Sequence, residues 1–247
     1  METGQIVPHY GETPKPRDHI RIVCISDTHT QTRGLQIPAG DILVHSGDFC
    51  KKGVSSEVQE FMQFLQSQRH QYKIVVSGNH DYPLDIAGYR AIAARKGLKD
   101  RVDPYAVKAN LVSNCIYLED TGAQLFGYSF WGSPWTAERH KGSFTIRDER
   151  DLGFKWCGFP DRVDILITHS PPFSQRDINS VRNEHCGCRY LADTVKRIHP
   201  KVHIFGHIHE GHGWNIEGHT TYINAAICNR RYLPVFRPIV FDLPRRE

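Results

Sequence analysis

Five short apolar runs recur along the chain, and each ends in a polar motif. IRIVCIS (Ile20 to Ser26) leads into Asp27-Thr28-His29, and DILVHS (Asp41 to Ser46) leads into Gly47-Asp48. YKIVVS (Tyr72 to Ser77) leads into Gly78-Asn79-His80-Asp81, VDILIT (Val163 to Thr168) into His169, and VHIF (Val202 to Phe205) into Gly206-His207-Ile208-His209. Their brevity and their Ile and Val content suit strands buried in a sheet better than helices. Between several runs the apolar spacing becomes helical. Val58, Phe61, Met62 and Leu65 fall on one helical face, which predicts an amphipathic helix to about Arg69, with Ser56 and Gln59 as a capping box at its start. Tyr89 to Lys96 is predicted as a second helix, stopped by Gly97. Leu191, Val195 and Ile198 stripe a third, ended by Pro200.

The middle of the chain has another rhythm. IYLED and then QLFGYSFWGSPW (Gln124 to Trp135) alternate and contain glycine, as a β-meander does. Residues 136–160 read as a loop with one short polar helix. After His209, WNIEG, TTYINAA and PIVFDLP are three further strand candidates. Strand–helix alternation predicts an α/β core, met by two packed sheets covered by helices or by one sheet plus an appendage.

Composition narrows the class without naming a reaction. The 247 residues are 39% hydrophobic and 23% charged, ordinary for a soluble globular chain. The length suits one large domain, taken as residues 19–247 behind a polar, Pro-rich, flexible arm at 1–18. No apolar run approaches the roughly 18 residues that span a bilayer, and the N-terminus lacks a signal-peptide pattern. The cytoplasm is the expected location, with no membrane partner. The net charge of +4 is spread along the chain, so a nucleic-acid partner is not expected. Seven cysteines are expected as free thiols. Cys186-Gly-Cys188 with His199 and His203 does not match zinc-site spacing, because Pro200 breaks a His-bearing helix there.

The polar motifs change the picture. Ligands of open α/β sheets bind beyond the carboxyl ends of strands, where all five motifs are predicted to lie. If strand conformation persists, Asp27 and His29 point to one side, as do His207 and His209. The glycines before Asp48, Asn79 and His207 permit tight turns and close backbone approach. Asp27, His29, Asp48, Asn79, His169, His207 and His209 together make a mixed oxygen and nitrogen donor set without thiolate. Such a set suits Mn, Fe, Co, Ni or Zn better than Mg or Ca. Seven donors exceed one tetrahedral ion, and two ions sharing one carboxylate fit better. Two divalent ions, two aspartates and a bridging hydroxide leave a positive site, suited to an anionic phosphate.

Asp-x-His, Gly-Asp, Gly-Asn-His-Asp, a lone His and Gly-His-x-His, in that order, resemble the calcineurin-like metallophosphoesterases. HIRIVCISDTH, GDILVHSGDF, YKIVVSGNH, TTYINAA and VFDLP are similar to the animal metallophosphoesterase-domain-containing subfamily, itself similar to class III cyclic-nucleotide phosphodiesterases. The resemblance runs from about His19 to the C-terminus. It implies a four-layer αββα sandwich of two mixed β-sheets flanked by helices, with two metals, Mn, Fe or Zn, at the top. By the same resemblance Asp27, His29 and His209 hold the first metal, Asn79, His169 and His207 the second, and Asp48 bridges. A metal-bound hydroxide would attack a small phosphodiester or nucleotide, including cyclic nucleotides. His80 would protonate the leaving oxygen or stabilise phosphate charge as imidazolium. Asp81 would orient His80 or cap the following turn. Some subfamily members lack the first His of Gly-His-x-His and are weak enzymes; His207 is present here, which implies turnover.

Plainer readings stand beside these. His45 and His203 lie within strand runs and are expected in the core. His212 lies outside the motif, with a surface or supporting role or a direct substrate contact as its two readings. Trp131 and Trp135 are expected to pack rather than stack on a nucleobase, and RDERD (Arg147 to Asp151) to be a solvated helix face. The competing functions are a phosphomonoesterase, a metal-dependent nucleotide-binding or scaffold protein with negligible turnover, and a nuclease. Oligomeric state is open, a homodimer included.

Overall fold

The computed structural model describes residues 5–99, 101–137 and 142–246. Two mixed sheets form its centre. The first, in spatial order, holds Ile239–Pro244, His19–Ile25, Ile42–Ser46, Tyr72–Val76 and Ile116–Tyr117. The second holds Gly213–Glu217, Thr220–Asn224, Val202–Phe205, Ile165–Thr168, Tyr128–Ser133 and Thr121–Leu125. In each, the central strands run parallel.

Side-chain alternation divides the core into layers. Ile20, Ile22 and Cys24 face the gap between the sheets and pack with Ile74, Phe130, Ile167 and Ile204. Val23 and Ile25, from the same strand, face outward onto Phe61, Leu65 and Leu111. On the far side Leu166, Phe205 and Tyr222 pack against Leu152, Trp156, Leu191 and Val195. Helices, sheet, sheet and helices therefore stack in four layers, the expected αββα sandwich.

The helices differ in how they start. α1 (Ser55–Ser67) buries the expected stripe, but its N-cap is Val54 without a side-chain cap. The expected capping box is absent because Val54 and Ser55 already begin the turn. Glu57 instead accepts the backbone N–H groups of Lys51 and Lys52. α2 (Tyr89–Lys96) ends at left-handed Gly97 as expected. α3 (Pro104–Asn114), capped by Asp103, was not anticipated. α4 (Glu149–Cys157) is the helix of the 136–160 region, with exposed RDERD at its start and Leu152 and Trp156 buried. Residues 138–141 of that region lie outside the described residues. α5 (Arg189–Ile198) carries the third stripe, and the Cys188 thiol caps its start by accepting from Leu191 N.

Residues 5–18 do not hang free as the flexible arm expected for 1–18, whose first four residues lie outside the described ones. His9 exchanges two backbone hydrogen bonds with Val240 on the edge strand of the first sheet. Arg21 donates to the Thr13 carbonyl, Thr221 Oγ1 donates to the Ile6 carbonyl, and Ile6 and Tyr10 pack on the intersheet core. The segment covers an edge that would otherwise offer unpaired backbone groups. Among the described residues no helix is long and apolar enough to cross a membrane.

Candidate metal centre

The carboxyl ends of the parallel strands from both sheets meet along one rim. There Ser26 bridges to Ala226, and Asp27 N donates to the Gly47 carbonyl. All seven predicted donors lie at this rim, and none of Asp27, His29, Asp48, Asn79 or His169 exceeds 4% exposure. Strand alternation does not aim them. Asp27 (φ 51), His29 (φ 41), Asp48 (φ 58) and His207 (φ 66) all have left-handed backbone, so the expected extended conformation stops at the motifs. Such conformations are costly, on the order of 1 kcal/mol or more each, and cluster where function requires them. Two glycines allow the chains to close up: a Cβ on Gly206 would overlap the Asp27 carboxylate, and one on Gly47 would overlap the His169 ring.

Two donor groups result. Asp27, His29 and His209 each offer a ligand atom within 4.8 Å of the others, and so do Asp48, His169 and His207. His29 Nε2 and His209 Nε2 are 3.2 Å apart, with Asp27 Oδ1 3.3 Å from the latter. Asp48 Oδ2 stands between the groups, 3.4 Å from His169 Nε2 and 3.8 Å from His29 Nε2. Asn79 Oδ1 lies 3.1 Å from His169 Nε2.

Hydrogen bonds behind the rings set their tautomers. The Nδ1–H groups of His29, His169 and His209 donate to the carbonyls of Cys50, Ser46 and Asn229. With Nδ1 so engaged, each ring turns its Nε2 inward. These nitrogens converge on one another and on carboxylate oxygens, and Asp27 Oδ1 is buried with no hydrogen-bond partner. Buried carboxylates and imidazoles converging in this way call for positive charge, and the residues fit divalent metals.

The electrostatics agree. Burial would raise the Asp27 and Asp48 carboxyls, but the surrounding imidazoles, His209 and His169 foremost, hold both well below the usual range. Burial would lower His169, yet Asp48 and Asp27 outweigh it and push it up to about 9. Burial dominates at His29 and His207, lowered to about 4 and about 3. Two buried anionic carboxylates thus draw positive charge onto the rings beside them.

His80 lies at the edge of this centre. Its backbone N–H donates to Asp48 Oδ1 and its Nδ1 bonds the Lys51 carbonyl. That carbonyl, and not Asp81, orients the ring. Asp81 is fully buried and accepts backbone N–H groups of Asp48, Cys50 and Gly78, so its expected catalytic place becomes a tie between two turns. His212, expected in one reading to touch substrate, is stacked on Phe236 (ring centroids 4.5 Å apart) and faces Tyr10. It does not line the cavity above the donors.

That cavity, about 590 Å³, has His29, Asp48, Asn79, His80, His207 and His209 in its wall, with Asn179, Val181, Arg182, Arg230 and Tyr232 nearer the rim. No sequence motif marks these rim residues, nor two supports of the site. Buried Ser143 donates to the Gly78 carbonyl, and Asn224 Nδ2 donates to the Ile208 carbonyl. The buried polar end of the TTYIN strand was the available signal for Asn224. His45 and His203 bond Thr28 and Thr168 in the core, and Trp131 and Trp135 pack against Phe159 and Phe144.

A family model for calcineurin-like phosphoesterase matches residues 20–211. Metallophosphoesterase domain-containing protein 1 of Homo sapiens is 41% identical over 246 residues, covering 96% of this chain and 74% of its own. One solved structure, 16% identical, superposes with a TM-score of 0.58 and covers 83% of this chain and 90% of its own. TT1561 of Thermus thermophilus is 17% identical with a TM-score of 0.50, covering 83% of this chain and 88% of its own. At such identities the solved structures attest the fold alone, whereas the family match spans every donor motif. The chain belongs to the calcineurin-like phosphoesterase family.

Proposed function

We propose that this protein is a dinuclear metal-dependent phosphodiesterase, with cyclic nucleotides among its candidate substrates. Asp27, His29 and His209 would hold one ion, Asn79, His169 and His207 the other, with Asp48 shared between them. The observation that carries this reading is the place of Asp48 Oδ2, one carboxylate oxygen facing His29 and His169 at once. When bound, two divalent ions supply Lewis-acid polarisation and a water acidified to near neutral pH. The donor set favours Mn, Fe or Zn.

The chain's own residues supply the rest. Asn79 adds a donor without a charge, so the two aspartates leave the loaded site attractive to an anion. His80 is fixed through Nδ1 by the Lys51 carbonyl, which leaves Nε2 to give a proton to the leaving oxygen. A diester brings one negative charge and a second organic arm. That suits a cavity of about 590 Å³ whose rim carries two guanidinium groups, Arg182 and Arg230, the second paired with Glu210.

Manganese-loaded protein assayed on bis(p-nitrophenyl) phosphate and p-nitrophenyl phosphate tests the reading. The diester is expected to be preferred, and EDTA to abolish turnover. His80→Ala is expected to lower kcat by about 10²-fold or more while two metals per chain remain by elemental analysis. Monoester preference, or turnover indifferent to EDTA, overturns it.

A further inference from the structure

Tyr232 belongs to no donor motif, yet it lines the same cavity. Its ring centroid is 4.7 Å from that of His29, 5.9 Å from His209 and 6.4 Å from His80. Its backbone, at φ 60, is left-handed, which a bulky aromatic residue rarely adopts. The turn that imposes this is cross-linked. Tyr232 N donates to the Asn229 carbonyl, Asn229 N donates to the Leu233 carbonyl, and Asn229 Oδ1 accepts from Arg231 N and Leu233 N. The same Asn229 carbonyl accepts from His209 Nδ1, at 3.0 Å, so the turn is fixed to a donor ring. The Lys51 ammonium sits 4.6 Å from the Tyr232 ring centroid, and the Lys51 carbonyl orients His80. The phenol hydroxyl has no hydrogen-bond partner in the protein among the described residues.

We propose that Tyr232 is a substrate-contact residue, whose phenol O–H donates to an oxygen of the bound phosphate ester and whose ring is the wall for the ester's organic arm. The proposal rests on the phosphoesterase reading above. An aromatic plug would account for the ring alone. It would leave without a role a hydroxyl that has no protein partner among the described residues, on a ring that lines the donor cavity. Lys51 then serves twice, its ammonium steadying the ring and its carbonyl steadying His80, so the two groups that face the ester share one support.

The test compares wild type, Tyr232→Phe and Tyr232→Asn, the last because asparagine tolerates left-handed backbone. Each is measured for binding of inorganic phosphate by calorimetry in the presence of manganese, for manganese binding, for thermal unfolding without metal, and for hydrolysis of bis(p-nitrophenyl) phosphate. Tyr232→Phe is expected to weaken phosphate binding and lower kcat/KM by about 10-fold, the loss of one hydrogen bond to a charged group. Manganese binding and the unfolding midpoint should stay at wild-type values. Tyr232→Asn should raise KM for the aryl diester further than it weakens phosphate. Wild-type phosphate affinity in Tyr232→Phe overturns the proposal, as does loss of manganese binding or stability in that variant. If wild type binds phosphate but cleaves no diester, the phosphodiesterase reading falls and the phosphate measurement still decides on Tyr232. If wild type binds no phosphate with manganese present, Tyr232 as a contact falls too.

Discussion

Asp81 accepts three backbone hydrogen bonds, from Asp48 N at 2.9 Å and from Gly78 N and Cys50 N at 2.8 Å. It thereby locks the turn bearing the bridging carboxylate to the turn bearing Asn79. Without its carboxylate, three buried N–H groups lose their acceptor, at about 1–3 kcal/mol apiece before relaxation. Asp81→Ala is expected to lower unfolding free energy by about 3 kcal/mol or more in urea titration, and to bind less manganese. An unchanged urea midpoint would show the tie to be dispensable. Residue identity was readable here, since Asp, His and Asn beyond five strand ends have few common structural uses. Their aim was not. Asp27, His29, Asp48 and His207 converge through left-handed backbone. Asp and His tolerate that region better than most residues, but their letters do not announce it.

Among the helices, legibility follows the strength of the apolar stripe and of the stop signal. α1, α2 and α5 had a stripe or a stop, at Gly97 and Pro200. α3 buries Leu111 alone, so it has no stripe, although Asp103-Pro104 is a proper start signal. α4 looked polar because its exposed RDERD start dominates nine residues, yet Leu152 and Trp156 sit one turn apart and are fully buried. Trp156 also donates its indole N–H to the Cys188 thiol, which caps α5. It therefore couples two helices and the sheet beneath them. Trp156→Ala is expected to cost about 3–5 kcal/mol and to lower the thermal midpoint. Manganese stoichiometry in the folded fraction should hold, since the residue packs among Leu152, Leu191 and Val195 and does not line the donor cavity. A midpoint within a degree of wild type would contradict this account of α4.

Across the whole molecule, the order of the five motifs was readable, and their meeting was not derivable from local pattern. Donor motifs end strands in two different sheets, and sheet membership is decided by pairing over long separations. The resemblance supplied what periodicity could not. The same layered burial has a cost in acid. His203 lies fully buried in Val202–Phe205, bonded to Thr168, and burial lowers it to about 3. Its ordinary value is near 6.5, so the unfolded chain takes a proton that the folded chain refuses. The stability tied to neutral His203 is intact above about pH 6.5 and is lost progressively towards pH 3, about 2 kcal/mol of it by pH 5. Urea titrations of metal-free wild type and His203→Gln at pH 7.5 and pH 5 should show a smaller acid loss in the variant. Equal losses would assign the acid sensitivity elsewhere.

The strand His19–Ile25 lies between Ile42–Ser46 and Ile239–Pro244, with His19 opposite Pro244. Arg21 and Asp242, whose side chains pair across that seam, are 221 positions apart. A fragment that stops short of Ile239–Pro244 therefore leaves one flank of His19–Ile25 without that strand's backbone partners. Beyond Ile25 the support changes: Ser26 bridges to Ala226 and Asp27 N donates to the Gly47 carbonyl. Closure of that edge therefore rests on contacts of very long sequence separation, the kind that form late in folding.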